Sequence, residues 1–334
     1  MGAGFPADRF AQNQAAGIGG ADAEIAGAQR GDAAVRERFL AIVNPAAGGG
    51  KCGRLAPAAL RRVRQTGLEL DVAETTRAGE ATEIAREAYQ RGVRNFLAAG
   101  GDGTAYEIVN GLFPEALAGG RAALGFLPLG TGNSFLRDFS TRGADHTIEA
   151  LATGERRACD VIRLKHATGE IYYINLLSLG FPADVGETTN RRFKRWGELG
   201  YIFGVLTRLA RLEHLTFPYR LGDDAEWERR PCLYLAFSNS KFTGGQMMIA
   251  PNADATDGQI ECVRWGPIGR LGLLATFPRL FTGTHIHHKL ASRAAAQRVE
   301  FALDGPANAM VDGEILKLEC RSLEILPGAL DVFA

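Results

Sequence analysis

The chain has 334 residues, of which 46% are hydrophobic, and it carries 38 basic and 38 acidic side chains. This length predicts two domains, and the balanced charge argues against a global basic field, so we expect no nucleic-acid partner. Five cysteines without a CxxC pair argue against a disulfide framework, and no window holds eighteen consecutive apolar residues, so we expect a cytoplasmic protein without a transmembrane segment.

The first half of the chain predicts a flexible tail followed by an α/β domain. Residues 1–37 lack the apolar run of a signal peptide, and we expect them to form the tail. From residue 38 to about 155, short apolar runs alternate with helical stretches. The predicted strands are FLAIV, LELDVAET, NFLAAG and ALGFLPLG, and the predicted helices cover residues 55–66, 79–91, 105–112, 133–139 and 146–152. This alternation predicts a parallel sheet, which binds ligands at the carboxyl ends of its strands.

Three glycine-rich loops follow these strands, at residues 44–51, 100–104 and 128–133. Glycine permits sharp turns and leaves backbone N–H groups open, so the loops together predict a phosphate cradle. The first loop is not a Walker A motif, because Pro45 and Cys52 stand where that motif needs Gly and Ser or Thr. It does match GxGxxG, which is weak evidence for a dinucleotide site.

The second loop carries an acidic side chain, Asp102, between two glycines. A carboxylate there repels phosphate unless a cation stands between them, which indicates Mg²⁺ or a polarised hydroxyl. A role for Asp102 as a simple turn former is the alternative. Thr104 is expected to cap a helix that starts at Ala105, with Glu107 completing the cap.

The second half of the chain predicts a mostly antiparallel β-sandwich domain over residues 156–319, with the segment at about 320–334 a candidate to return to the first domain. The predicted strands are CDVIRLKH, EIYYINLLSLGF, FPYRLGD, RRPCLYLAFSN, GQIECVRW, RVEFALDG and ILKLECRSLEIL. Helical stretches are expected at residues 187–213 and 267–281. The first of these carries basic residues from Arg191 to Arg195 beside Trp196, a pattern that fits either a solvated helix face or a membrane contact.

Five segments in this order resemble the lipid kinase superfamily of diacylglycerol, sphingosine and ceramide kinases. They are NPAAGGGK (44–51), GGDGTAYEIVNGL (100–112), LPLGTGNSF (127–135), GGQMMIAPNADATDGQIE (244–261) and VDGE (311–314). The resemblance covers about residues 38–330. It implies an NAD kinase/diacylglycerol kinase-like α/β domain that binds ATP, a β-rich domain that binds the lipid substrate, and an ATP site between them.

The resemblance also implies roles for individual residues. The nucleotide-binding positions are Asn44, Thr75, Gly100, Gly101, Asp102, Gly103, Thr104, Ala105, Tyr106, Gly130 and Thr131. Glu314 is implied as general base, with Asp312 and Asp102 assisting, although Asp312 also fits a plain hairpin turn. A second Mg²⁺ site is implied at Asp257 with the carbonyls of Asp254 and Gln259, where an ordinary Asp-Gly turn is an equal alternative.

The implied activity is ATP- and Mg²⁺-dependent phosphorylation of a diacylglycerol-like lipid to a phosphatidic acid-like product, with peripheral and transient membrane contact. Sphingosine or ceramide is the alternative acceptor, although Gly186 stands where sphingosine kinases often carry an acidic residue. An NAD kinase shares the GGDGT loop but not PLGTGN. A non-catalytic lipid-binding module and a homodimer are also left open.

Overall fold

The computed structural model describes residues 37–188, 207, 209 and 211–334. The predicted tail, apart from residue 37, lies outside the described residues. So does the basic patch from Arg191 to Trp196, together with most of the predicted helix at 187–213.

A parallel sheet with helices on both faces forms the first part of the fold. Its strands are β1 (Arg38–Val43), β2 (Glu69–Glu74), β3 (Asn95–Gly100) and β4 (Ala122–Pro128), and its helices are α1 (Lys51–Gln65), α2 (Glu80–Gln90), α3 (Asp102–Leu112) and α4 (Ala144–Thr153). The strand order is β2-β1-β3-β4. Alternate residues of β1 face opposite sides, so Ile42 packs with α2 and α3 while Ala41 and Val43 pack with α1 and α4. The predicted α/β architecture is confirmed.

Shorter elements follow. The strands are β5 (Arg157–His166), β6 (Gly169–Tyr173), β7 (Leu176–Gly180), β8 (Tyr219–Leu221), β9 (Tyr234–Ser238), β10 (Phe242–Thr243), β11 (Met247–Met248), β12 (Ile260–Trp265), β13 (Ala291–Ala296), β14 (Arg298–Phe301), β15 (Ala307–Val311), β16 (Glu314–Leu318) and β17 (Cys320–Phe333). The helices among the described residues are α5 (Phe181–Thr188), α6 (Arg270–Thr276) and α7 (Arg279–Thr282). A six-stranded sheet has the order β13-β12-β9-β7-β15-β16, with antiparallel pairing throughout.

The long strand β17 joins the parallel strands to an antiparallel part of the same nine-stranded sheet. It pairs in parallel with β4, where Leu330 lies opposite Ala122, and antiparallel with β5 and β14. A buried apolar cluster fills the space between this antiparallel part and the six-stranded sheet, with Tyr173, Phe237 and Leu323 among its members. The second part of the fold is therefore an antiparallel β-sandwich, as the sequence predicts.

Four predicted elements differ from the structure. The run ILKLECRSLEIL at 315–326, expected as one strand, divides into β16 and β17 of different sheets. The run at 170–181, expected as one strand, divides into β6 and β7 of different sheets. The stretch at 267–281 forms two short helices, because Pro278 interrupts the helical hydrogen-bond pattern between α6 and α7. Residues 133–139 contain only a 3₁₀ turn at Leu136–Asp138.

The predicted cap of α3 is also wrong. The helix begins at Asp102, so Thr104 lies inside its first turn, and the Thr104 hydroxyl is buried with no hydrogen-bond partner among the described residues. Glu107 instead caps the neighbouring helix α2: its carboxylate accepts from the N–H groups of Gly79 (2.9 Å) and Ala81 (3.1 Å). Glu107 therefore fixes the start of α2 against α3.

Candidate active site

The three glycine loops meet at the carboxyl edge of the parallel sheet. The carbonyl of Gly100 accepts from the N–H groups of Leu129 (2.8 Å) and Gly130 (2.7 Å). A Cβ atom on Gly130 would lie 2.6 Å from the Cα atom of Gly101, and one on Gly48 would lie 3.3 Å from the Leu129 carbonyl oxygen. Only residues without side chains allow this approach at Gly130, which explains why glycines recur at the ends of these strands.

The loops form one end of a cavity of about 1160 Å³. The predicted nucleotide-binding residues that line it are Asn44, Thr75, Gly101, Asp102, Gly103, Thr104, Gly130 and Thr131. Backbone hydrogen bonds hold two of them beside the loops: Asn44 N–H donates to Ala99 (3.0 Å), and Thr75 N–H donates to Val43 (2.8 Å). Gly100, Ala105 and Tyr106 are not among the lining residues. This end of the cavity is polar and rich in exposed backbone.

The other end of the same cavity is apolar. Its lining comes from α5, α6, α7 and the side of the six-stranded sheet that faces away from the sandwich core. The lining residues include Phe181, Val185, Leu233, Tyr234, Ile249, Trp265, Leu273, Phe277, Leu280, Met310 and Ile315. None of the described residues lining this end carries a carboxylate, whereas Asp102, Glu107, Asp312 and Glu314 line the region near the loops. The cavity thus joins a polar half and an apolar half.

Asp102 is held by the third loop. Its carboxylate accepts from the Ser134 N–H at 2.8 Å and 3.0 Å and from the Phe135 N–H at 3.5 Å. Burial raises the pKa of this carboxyl group, and the hydrogen bonds from Ser134 and Phe135 lower it in part. Asp102 is therefore a structural link between the second and third loops as well as a cavity-lining acid.

Asp312 occupies a left-handed turn between β15 and β16, with φ of 47°. Its carboxylate accepts from three consecutive backbone N–H groups, those of Ile174 (3.0 Å), Asn175 (2.9 Å) and Leu176 (3.0 Å). Burial raises its pKa to about 7, although the three hydrogen bonds oppose that shift. These bonds also explain why the predicted strand at 170–181 divides: the N–H groups at 174–176 donate to Asp312.

Glu314 begins β16, two residues beyond Asp312. A Cβ atom on Gly103 would lie 2.6 Å from Glu314 Oε1, so the carboxylate lies over the first turn of α3. The next residue, Ile315, lines the apolar end of the cavity. The charges of Asp312 and Glu314, after burial, raise the pKa of the Tyr106 hydroxyl. The structure therefore brings Asp312 and Glu314 to the same place, where the two halves of the cavity meet.

Gly103→Ala tests this placement without removing the acid. The new methyl group would displace the Glu314 carboxylate, whereas alanine in the first turn of α3 favours the helix by up to about 1 kcal/mol. We expect an unchanged or higher midpoint of urea unfolding together with a fall in kcat of at least about tenfold, since catalysis depends on alignment. Gly305→Ala, where no atom lies within 4 Å of the new Cβ, is the matched control. Normal kcat in Gly103→Ala would contradict the placement.

The residues expected at the second metal site lie apart from the cavity. Asp254 accepts from the N–H (3.0 Å) and hydroxyl (2.8 Å) of Thr256, and Asp257 accepts from the Gln259 N–H (2.9 Å). Burial, followed by the charge of Asp254, raises the pKa of Asp257. Among the described residues, no group of three or more His, Cys, Asp and Glu side chains is arranged to hold a metal ion. The Mg²⁺ site at this turn stays a prediction.

Asn175 is a cavity-lining residue that the sequence analysis missed. It lies at the break between β6 and β7, where its N–H donates to Asp312 and its Oδ1 accepts from the Ser240 hydroxyl at 2.7 Å. The available signal is a polar residue inside the apolar run EIYYINLLSLGF. Asn175 connects the Asp312 turn to the loop after β9.

Within the described part of the chain, no helix combines the length and apolar character needed to cross a bilayer.

The lipid-kinase resemblance is supported by comparison with known proteins. Residues 38–164 match the family model "Diacylglycerol kinase catalytic domain", and residues 175–334 match "YegS C-terminal NAD kinase beta sandwich-like domain".

Individual relatives agree with these models. A diacylglycerol kinase from Mycobacterium tuberculosis is 30% identical over 301 residues, covering 88% of this chain and 94% of the relative. A protein from Pseudomonas syringae pv. syringae, named "Probable lipid kinase YegS-like", is 33% identical over 271 residues, covering 80% and 85%. The crystal structure of a diacylglycerol kinase from Bacillus anthracis str. Sterne has the same fold, with a TM-score of 0.62, 21% identity, and coverage of 89% and 96%. The chain therefore belongs to the diacylglycerol and lipid kinase family.

Proposed function

We propose that the protein transfers the γ-phosphoryl group of ATP to a hydroxyl group of a diacylglycerol-like lipid, giving a phosphatidic acid-like product. The observation that supports this most strongly is the cavity itself. Its polar end is built from glycine loops at strand ends, its apolar end from large side chains, and Asp312 and Glu314 lie where these ends meet. A soluble acceptor such as NAD would gain nothing from the apolar half, which disfavours an NAD kinase.

The polar end suits the phosphates of ATP. Backbone N–H groups of the glycine loops and the start of α3 attract anions, and phosphoryl transfer depends mainly on alignment and charge neutralisation. Asn44, Thr75 and Thr131 add polar side chains at the same end. We assign the nucleotide to this end and the acyl chains of the lipid to the other.

The residues present also suit Mg²⁺, which prefers oxygen ligands and is usually held by one or two carboxylates plus the substrate phosphates. Asp102 would supply such oxygen atoms at the polar end. With ATP bound, the cation would neutralise negative charge on the phosphates.

Glu314 is the general base in this proposal. It takes the proton of the lipid hydroxyl as that oxygen attacks the γ-phosphorus, the bond from the γ-phosphorus to the bridging oxygen breaks, and ADP leaves. Asp312 acts as a positioning residue: it fixes the hairpin that carries Glu314 by accepting three backbone hydrogen bonds. Asp102 fixes the second loop against the third.

The acceptor is proposed to be a neutral glyceride rather than a sphingoid base. Gly186 lines the apolar end, and a Cβ atom there would lie 2.4 Å from Ile315 Cδ1, so the packing of α5 on β16 leaves little room for an acidic side chain. A sphingoid ammonium group buried at that end would lack a paired carboxylate among the described lining residues, which is costly. A diacylglycerol carries no such charge.

The test is phosphate transfer from labelled ATP to diacylglycerol, ceramide, sphingosine and NAD with Mg²⁺ present. We expect the highest kcat/KM with diacylglycerol and no labelled product when Mg²⁺ is chelated. Labelling of NAD alone, or ATP binding without transfer to any lipid, would refute the proposal. Preference for sphingosine would refute the assignment of the acceptor but not the lipid kinase activity.

A further inference from the structure

The helix pair α6–α7 has two apolar faces. Leu273, Phe277 and Leu280 point to the apolar end of the cavity. On the outside, Leu271 is 83% exposed, Leu274 54% and Phe281 45%. The ring of Phe277, which lines the cavity, contacts the ring of the exposed Phe281, with centroids 5.8 Å apart. We call the exposed set Leu271, Leu274 and Phe281 the outer face.

The segment that carries the outer face has charge of one sign. The sequence contains no Asp or Glu from Cys262 to Val299. Arg270, Arg279 and Lys289 are exposed, and none of them has an ion-pair partner among the described residues. Basic side chains around exposed apolar side chains are the composition of a surface that binds anionic lipid.

The position of the outer face matters as much as its composition. Large exposed apolar side chains elsewhere among the described residues, such as Leu55 and Leu117, lie singly on other elements, and such scatter is normal. Here three of them lie together on the two helices that form one wall of the apolar cavity. A lipid that leaves a bilayer at this wall would reach the cavity without its acyl chains crossing much water.

We propose that the outer face docks on an anionic lipid bilayer and so places the apolar end of the cavity against the membrane that supplies the lipid. This inference rests on the proposed lipid substrate. Docking itself needs neither ATP nor turnover, so it can be measured independently of catalysis. Leucine and phenylalanine would enter the headgroup region while the arginines contact lipid phosphates.

The experiment is co-sedimentation of the full-length protein with two kinds of vesicle. One is pure phosphatidylcholine, and in the other about a third of the lipid is phosphatidylglycerol. We expect binding mainly to the anionic vesicles, and loss of that binding at high salt. Leu271→Gln/Leu274→Gln should lower the partition coefficient onto anionic vesicles by about tenfold or more, because two apolar side chains are no longer transferred from water into the bilayer. Arg270→Glu/Arg279→Glu should weaken it by at least about fivefold for each arginine.

The matched control is Leu55→Gln/Leu117→Gln, which removes leucines of 42% and 46% exposure and should change binding less than twofold. Unchanged binding in both surface variants would overturn the inference. So would a dimer, seen by light scattering, that Leu271→Gln/Leu274→Gln converts to a monomer, since the outer face would then be a contact with a second copy.

Activity assays separate this inference from the proposed function. The surface variants should keep wild-type kcat/KM on a short-chain diacylglycerol in solution and lose activity only on diacylglycerol in vesicles. Equal losses on both substrates would contradict a docking role. Vesicle binding through this face without phosphate transfer to any lipid would leave the inference standing and refute the lipid kinase proposal.

Discussion

Glu314→Gln is expected to lower kcat on diacylglycerol by about 10²- to 10⁴-fold, the range typical of a lost general base. Glutamine keeps the size of the side chain over Gly103 but has far weaker basicity, so it cannot take the hydroxyl proton. ATP affinity should change little, because the glycine loops are intact. The measurements are steady-state kinetics and nucleotide binding by calorimetry on the same preparations.

The control for Glu314→Gln is Glu69→Gln, at an exposed position on β2. It should keep wild-type kcat and the same thermal midpoint. A Glu314→Gln enzyme with near-normal kcat would show that another group accepts the proton and would remove Glu314 from the catalytic role.

Asp312→Ala is expected to cause the largest loss of stability of any single change at the site. Three buried N–H groups would lose their acceptor, and each unpaired group costs about 1–3 kcal/mol. Removing Asp312 also removes the unfavourable free energy of burying its carboxylate, which offsets part of this loss. We therefore expect a net decrease of about 3 kcal/mol in the free energy of unfolding. Urea unfolding measures it, with the exposed Asp304→Ala as a control that should stay within about 0.5 kcal/mol.

The pH dependence of Asp312→Asn provides a second readout at this position. The pKa of Asp312 is raised to about 7 in the folded protein from an ordinary value of 3.8. Its contribution to stability is therefore complete below the ordinary value and is lost as the pH rises through about 7. The free energy of unfolding of the wild type minus that of Asp312→Asn should fall over this interval. A difference that rises with pH would contradict the raised pKa.

The parallel part of the fold could be predicted because its signals are local. Each strand is a short apolar run that ends at a glycine loop, and each helix is close in sequence to the strand on which it packs. The strand β13 could not be predicted in this way. Its sequence, ASRAAA, has no apolar alternation, and it is a strand because β12 pairs with it along its whole length.

The polar end of the candidate site could be predicted from the sequence, but the Asp312 contact and the apolar end could not. The rule that ligands bind at the carboxyl ends of parallel strands brought the three loops together before their contacts were known. The contact between Asp312 and the backbone at 174–176 spans at least 136 residues, and no local pattern indicates it. The apolar end was also not predictable, because Phe277 or Trp265 has the same appearance in a sequence whether it fills a core or lines a cavity.

A crystal structure of the protein with a non-hydrolysable ATP analogue and a short-chain diacylglycerol tests most directly whether one cavity serves both substrates. We expect the terminal phosphate against Gly101–Gly103 and Gly130, the acyl chains among Leu273, Phe277 and Leu280, and the lipid hydroxyl within about 2.6–3.2 Å of the Glu314 carboxylate. A nucleotide bound away from the glycine loops, or a lipid hydroxyl remote from Glu314, would contradict this account.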